Sequence, residues 1–253
     1  MRKIVLALLL VVVVATGAFM GINASREEVG FTQYALNQLG LNITQVVKTE
    51  SPEPQPEVQE KEIETQNPVV TIVAVGDVMM HDGQIWAGYD KKTDTFDYSE
   101  FFHVVKDEIS SADIAMADLE TTLGGKEQKF TGYPMFNSPD ELADALKDAG
   151  FEVIITSNNH SLDRRARGAL RTIQVLKERG LSPIGTYESE EERERILIKE
   201  ANGMKVAFIS YTYGTNGIPI PRDMPYLVNL IDEELILKDL KRAKEEADAV
   251  VLY

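Results

Sequence analysis

The sequence predicts an α/β fold, and three observations carry that prediction. Continuous apolar runs rich in β-branched residues, such as "VVTIVAV", mark strands covered on both faces. Between them lie amphipathic stretches bounded by helix start and stop signals. From Pro68 onward the two kinds alternate, as strands joined by helical crossovers do.

Taken in order, "VVTIVAV" is the first strand and "YSEFFHVVKDEISSA" predicts a helix, with His103 as a half-buried packing histidine. "ADIAMADLE" is the second strand. "SPDELADALKDAG" is a strongly signalled helix: Ser138 caps it, Pro139 suits the first position and Glu141 completes a capping box. Leu142, Ala145, Leu146 and Ala149 form its apolar stripe, and Gly150 ends it. "FEVIITS" is the third strand, "ARGALRTIQVLKERG" a helix closed by Gly180, and "LSPIGT" a short fourth strand. "ERILIKEANGMKVAFISYTY" reads as two strands turned by Asn202-Gly203, the strongest short hairpin signal. A Pro-rich stretch to Asp232 comes next, then the helix "EELILKDLKRAKEEA" and a further buried strand, "DAVVLY". The chain stops inside that strand, so a fragment or truncated product is expected.

Residues 1–24 stand apart. Arg2 and Lys3 precede an uncharged apolar run near the length, about 20 residues, that spans a bilayer. A retained membrane anchor is favoured over a cleaved signal peptide, because Ile22-Asn23-Ala24 is a poor cleavage site. The positive N-terminus then places the rest of the chain outside the cytoplasm. Residues 25–67 form a juxtamembrane segment and a Pro/Glu-rich linker, too poor in large apolar groups to offset the entropy of ordering. Residues 68–253 make the domain. The 253-residue chain carries a formal net charge of −15, which argues against nucleic acid as a partner. It has no cysteine, in keeping with an extracytoplasmic location.

Three early strands end in polar residues: Gly76-Asp77, Asp118-Leu119-Glu120 and Asn158-Asn159-His160. Ligands of open α/β sheets sit beyond the carboxyl ends of parallel strands, so these tips are expected to converge. Carboxylates, an amide oxygen and an imidazole suit a divalent cation such as Mn²⁺, Zn²⁺ or Mg²⁺. Asp77 and Glu120 also suit a turn or a solvated surface, and Asp118 suits a structural pair within its strand. Asn159-His160 is the most specific pair, since no turn glycine accounts for it. His81 and Asp163 are further candidates, Asp163 either orienting His160 or capping the next helix. There is no Gly-rich phosphate loop and no Gly-x-Ser-x-Gly elbow.

"GDVMMH", "DLE", "FNSPDELADALKDAGFEVIITSNNHSLD" and "NGMKVAFISYTYGTN" together resemble the CapA/PgsA family of poly-γ-glutamate capsule proteins, over roughly Val70 to Tyr253. That family is similar to the calcineurin-like metallophosphatases. The resemblance implies a layered β-sandwich flanked by helices and a site holding two divalent ions. It implies Asp77, Glu120 and Asn159 as metal ligands and His160 as the catalytic residue, with His81, Asp118, Asn158 and Asp163 as further metal or substrate contacts. Met79 departs from the usual Asp-x-His, and Asp118 stands where Asn is common. The family's later His-Trp-Gly and Gly-x-His-x-His motifs lie beyond "DAVVLY" and are not in this chain. Two roles are implied: a metal-dependent phosphoesterase, weak or inactive in this form, or a non-catalytic component of a membrane complex that moves or anchors poly-γ-glutamate.

Overall fold

A computed structural model describes residues 68–253. The expected anchor and linker, residues 1–24 and 25–67, lie outside the described residues. Among the described residues no helix is long and apolar enough to cross a membrane.

The first sheet is wholly parallel, in the order β1-β4-β5-β6, with β1 Ile72–Val78, β4 Ile114–Leu119, β5 Val153–Ile155 and β6 Ser182–Ile184. Its sequential order arises from the crossovers. Helix α3 (Glu141–Ala149) links β4 to β5, and α4 (Arg165–Glu178) links β5 to β6. The second sheet holds β7 (Leu197–Ala201), β8 (Met204–Ile209) and β9 (Ala249–Leu252) in that order. Strands β7 and β8 are antiparallel, and β9 lies parallel to β8. The turn between β7 and β8 sets Asn202 at φ 51° and Gly203 at φ 77°, the paired positive values that an Asn-Gly hairpin turn needs.

Alternation along the strands builds the layers. Ile114, Met116, Val153, Ile155 and Ile184 pack against Val206, Phe208 and Val251, so the two sheets share one apolar interface. Ala115, Ala117 and Ile154 face the other way, onto Leu142 and Leu146 of α3 and Leu176 of α4. The small alanines let the helices approach the sheet closely. Helix α6 (Glu233–Glu246) covers the outside of the second sheet through Leu240 and Ala243, against Ala207, Ile209 and Val250. The predicted layered β-sandwich flanked by helices is therefore the observed architecture.

Local departures have physical causes. The predicted helix over 98–112 breaks into a 3-10 turn, Ser99–Phe101, and a short α2, Lys106–Ser110, while His103 is exposed rather than half-buried. The segment between β1 and β4 also contains α1 (Asp82–Ala87) and a hairpin of β2 (Tyr89–Asp90) with β3 (Thr95–Phe96). Ser138 does not cap α3. Its hydroxyl lies 3.0 Å from Thr121 Oγ1, and the N-cap position falls to Asp140, whose carboxylate is held instead by Arg171 at 2.6 and 2.7 Å. Gly150 ends the helix at φ 103°, as predicted. The short helix α5 (Glu190–Arg193) precedes β7.

A carboxylate and imidazole centre at the strand tips

The same alternation that builds the core aims the site. On β4, Asp118 keeps the parity of Ile114 and Met116, so it faces the second sheet, and Glu120 lies on the same side two residues later. Asp118 is buried. Tyr253, just past β9, donates to its Oδ2 at 3.0 Å, and Asn158 donates to its Oδ1 at 2.8 Å. Asp118 therefore sits inside the strand and is paired. Asp77 lies on the neighbouring strand, where the β1–β4 register shifts between Val75 and Val78. Such an irregularity re-aims side chains, and Asp77 is exposed.

Asn158 joins these tips to the loop after β5. Besides Asp118 it donates to Leu119 O at 2.9 Å, and its Oδ1 accepts the His160 N–H at 3.1 Å. Ser161 Oγ closes the turn by accepting the Asn158 N–H at 2.9 Å and donating to Thr156 O at 2.6 Å. His160 is thereby placed with Nδ1 2.7 Å from Asp163 Oδ2 and Nε2 4.0 Å from Glu120 Oε1. Asp163 is 1% exposed, and the same oxygen accepts the Phe136 N–H at 2.6 Å. With Nδ1–H donating to this carboxylate, Nε2 is the nitrogen that faces the acids.

Asn159 points elsewhere. Its side chain is partly exposed and donates to Asn216 Oδ1 at 3.4 Å. Asn216, on the long β8–α6 loop, has its amide nitrogen 3.4 Å from both ring nitrogens of His160. An in-plane approach to both would collide with Cε1, so the amide lies over the ring. His81 is exposed at the start of α1, with its ring 5.4 Å from that of Phe136, which in turn meets His160 edge-on at 4.7 Å. The structure thus brings together Asp118, Glu120, Asn158, His160 and Asp163, sets Asp77 and Asn159 at the exposed margin, and connects His81 only through Phe136. Sequence alone does not mark Asn216 or Tyr253. Asn216 ends the stretch "NGMKVAFISYTYGTN" and Tyr253 the strand "DAVVLY", but neither stretch points to a role for them, and only the fold brings them near.

The electrostatics are those of crowded acids. Burial, then the charges of Asp77 and Asp118, push Glu120 up to about 7. Burial raises Asp118 to about 6, with the hydrogen bonds from Asn158 and Tyr253 offsetting part of it. Burial draws the His160 imidazole down, but its bond to Asp163 and the charges of Asp163 and Glu120 outweigh that, and the net shift is upward. Among the described residues no Lys or Arg pairs with Asp77, Asp118 or Glu120. Hard oxygen donors and unbalanced negative charge fit a divalent cation. Yet among the described residues no three acids or imidazoles surround one common point. The donor chemistry fits, and the coordination sphere it offers is partial.

The comparisons with known proteins come down on one family. The profile of the bacterial capsule synthesis protein PGA_cap matches residues 71–253. The capsule biosynthesis protein CapA of Bacillus anthracis is 29% identical over 198 residues, covering 74% of this chain and 46% of that protein. The PGA biosynthesis protein CapA of Bacillus subtilis strain 168 is 26% identical over 114 residues, covering 44% of this chain and 30% of that protein. The chain thus spans less than half the length of these relatives. A crystallised Staphylococcus aureus protein described as a 5'-nucleotidase overlaps 72% of this chain and 36% of its own, at 16% identity and a TM-score of 0.47, too little to fix a chemistry. The match over the whole described domain is decisive: this chain belongs to the PGA_cap family of bacterial capsule synthesis proteins.

Proposed function

We propose that this domain contributes a divalent-metal phosphoesterase site to capsule synthesis. The observation that carries the reading is the gathering of Asp77, Asp118 and Glu120 at adjacent parallel strand tips beside His160, with no Lys or Arg to balance them among the described residues. Asp77, Glu120 and Asn159 would hold the cation, Asn159 after its side chain turns from Asn216, with Asp118 or His81 as a further donor. A bound ion, or a pair of them, would supply Lewis-acid charge and an acidified water. The chain's own residues do the rest. Asp163 and the Phe136 N–H fix the His160 ring, Nε2 carries a proton toward a leaving oxygen, and the Asn216 amide covers the ring against solvent.

The apolar run at residues 4–22 would anchor the protein in the cell membrane with the domain outside. Poly-γ-glutamate and other membrane subunits of capsule synthesis are the partners this reading names, and nucleic acid is not among them. The absence of three converging ligands among the described residues favours a second reading, a non-catalytic component that helps assemble or move the polymer. One assay separates the two: hydrolysis of a chromogenic phosphoester with added Mn²⁺ or Zn²⁺, beside calorimetry for the metal. Metal-dependent hydrolysis lost in His160→Ala supports the enzyme. Metal binding without hydrolysis of any phosphoester supports the assembly role.

A further inference from the structure

Beside His160 the chain builds a rigid aromatic lip. The Gly132 N–H donates to Asp82 Oδ1 at 2.6 Å. A Cβ at Gly132 would stand 2.7 Å from the Asp82 nitrogen and 2.8 Å from His81 Cα, so glycine alone allows this approach between the loop and the start of α1. Arg164 ties the same loop from the far side, donating to Lys129 O at 3.3 Å, Thr131 Oγ1 at 2.6 Å and Met135 O at 3.2 Å. Four rings run in sequence from the site outward. His160 meets Phe136, Phe136 meets His81 and Tyr133, and Tyr133 lies nearly parallel to His81, with ring centroids 6.5 Å apart and planes 22° apart. Phe136 and His160 are buried, whereas His81 is exposed and Tyr133 is 73% exposed.

A large aromatic face held on a tethered loop offers stacking area without the cost of ordering a mobile one. From that placement we propose that Tyr133, backed by His81 and Phe136, stacks against a planar unsaturated ring carried by the leaving group of a phosphoester whose phosphoryl group lies at His160. This rests on the phosphoesterase reading and adds the chemical class of the leaving group. Planarity matters more than apolarity, because a ring face gains from a flat π-partner beyond the area buried.

The test is calorimetric binding of phenyl phosphate, cyclohexyl phosphate and inorganic phosphate to the 253-residue chain in the presence of Mn²⁺. Phenyl phosphate is expected to bind about tenfold tighter than cyclohexyl phosphate, of similar bulk but not flat. The preference should vanish in Tyr133→Ala, persist in Tyr133→Phe and shrink in Gly132→Ala, where the lip must shift. Equal binding of the two esters with inorganic phosphate still bound overturns this inference alone, as does a preference that survives Tyr133→Ala. No binding of inorganic phosphate overturns the proposed function and this inference with it.

Discussion

His160 Nδ1 lies 2.7 Å from Asp163 Oδ2, and that single oxygen also accepts the Phe136 backbone N–H, so one buried carboxylate orients the imidazole and anchors the neighbouring loop. Asp163→Asn keeps the shape but loses the charge that raises the imidazole and holds its tautomer. The His160 pKa should fall in an NMR titration. Any metal-dependent hydrolysis should drop by about two orders of magnitude or more, as in other carboxylate–histidine pairs. An unchanged titration would show that Asp163 only supports the loop.

The metal-free domain should lose stability as pH rises. Asp118 at about 6 and Glu120 at about 7 hold protons in the folded state that the unfolded chain releases at lower pH. The native state therefore binds more protons between roughly pH 4 and 7, and stability declines through that window and levels above it. His160, raised when folded, acts with the same sign: its contribution is present at low pH and lost as pH passes its folded value. A decline of a few kcal/mol, less than the roughly 6 kcal/mol of the unscreened shifts because solvent reaches part of this site, is expected in urea melts of the chelated protein, and added Mn²⁺ should flatten it. Melts that improve from pH 5 to 7 without metal would contradict the crowding of these acids.

Asn158→Ala removes a side chain that serves β4 and the His160 loop at once. Asp118 Oδ1 and Leu119 O lose a donor, and the His160 N–H loses its acceptor. The cost should be about 2–3 kcal/mol, from several buried polar groups left unmatched. Thermal denaturation would measure it. A loss no larger than that of an exposed substitution would mean that water replaces the amide.

Gly185 comes just after β6 at φ 90°, and a Cβ there would overlap the Ser157 side chain, whose hydroxyl lies 2.5 Å from Ser210 Oγ at the end of β8. Gly185→Ala combines backbone strain with displacement of that link between the sheets. A loss of more than about 2 kcal/mol is expected in denaturant titration, and Gly203→Ala, with no atom near its Cβ, should cost less. Equal losses would leave strain alone as the cause.

How much of this the sequence discloses depends on distance along the chain. Apolar runs mark the strands and amphipathic stretches mark helices α3, α4 and α6, so both are legible locally, and Asn202-Gly203 dictates its own turn. "VVTIVAV", read as covered on both faces, is instead an edge strand exposed from Ala74 to Asp77, because its sheet partner lies on one side alone among the described residues. The β2–β3 hairpin is not, because "YDKKTDTF" is short and polar and gains its order from neighbours. Ser138 misleads because its hydroxyl has a better partner 17 positions away in Thr121. In the site, the polar strand endings stand out against apolar runs, and His160 with Asp163 lies within one turn. The contacts of Tyr253 with Asp118, 135 positions apart, and of Asn216 with His160, 56 apart, depend on which sheet faces which. Asn158 is named in the sequence as a further contact, but its linking role is not legible: in "SNNH" two identical side chains compete, and only the turn made by Ser161 decides which faces inward.

Among the described residues, β1 is hydrogen-bonded to β4 on one side and is the edge of its sheet, and Ala74 to Asp77 are exposed along it. Asp77 is thus held by a single irregular ladder, while Asp118 on β4 sits between two strands. The backbone around Asp77 should open more readily than that around Asp118, and its outward amides should exchange with solvent first. Whatever pairs with that free edge would restrain Asp77 and leave Asp118 nearly untouched. The position of one acid therefore answers to neighbours that never enter the site, a thermodynamic coupling of contacts made at the sheet's edge to chemistry at its tip.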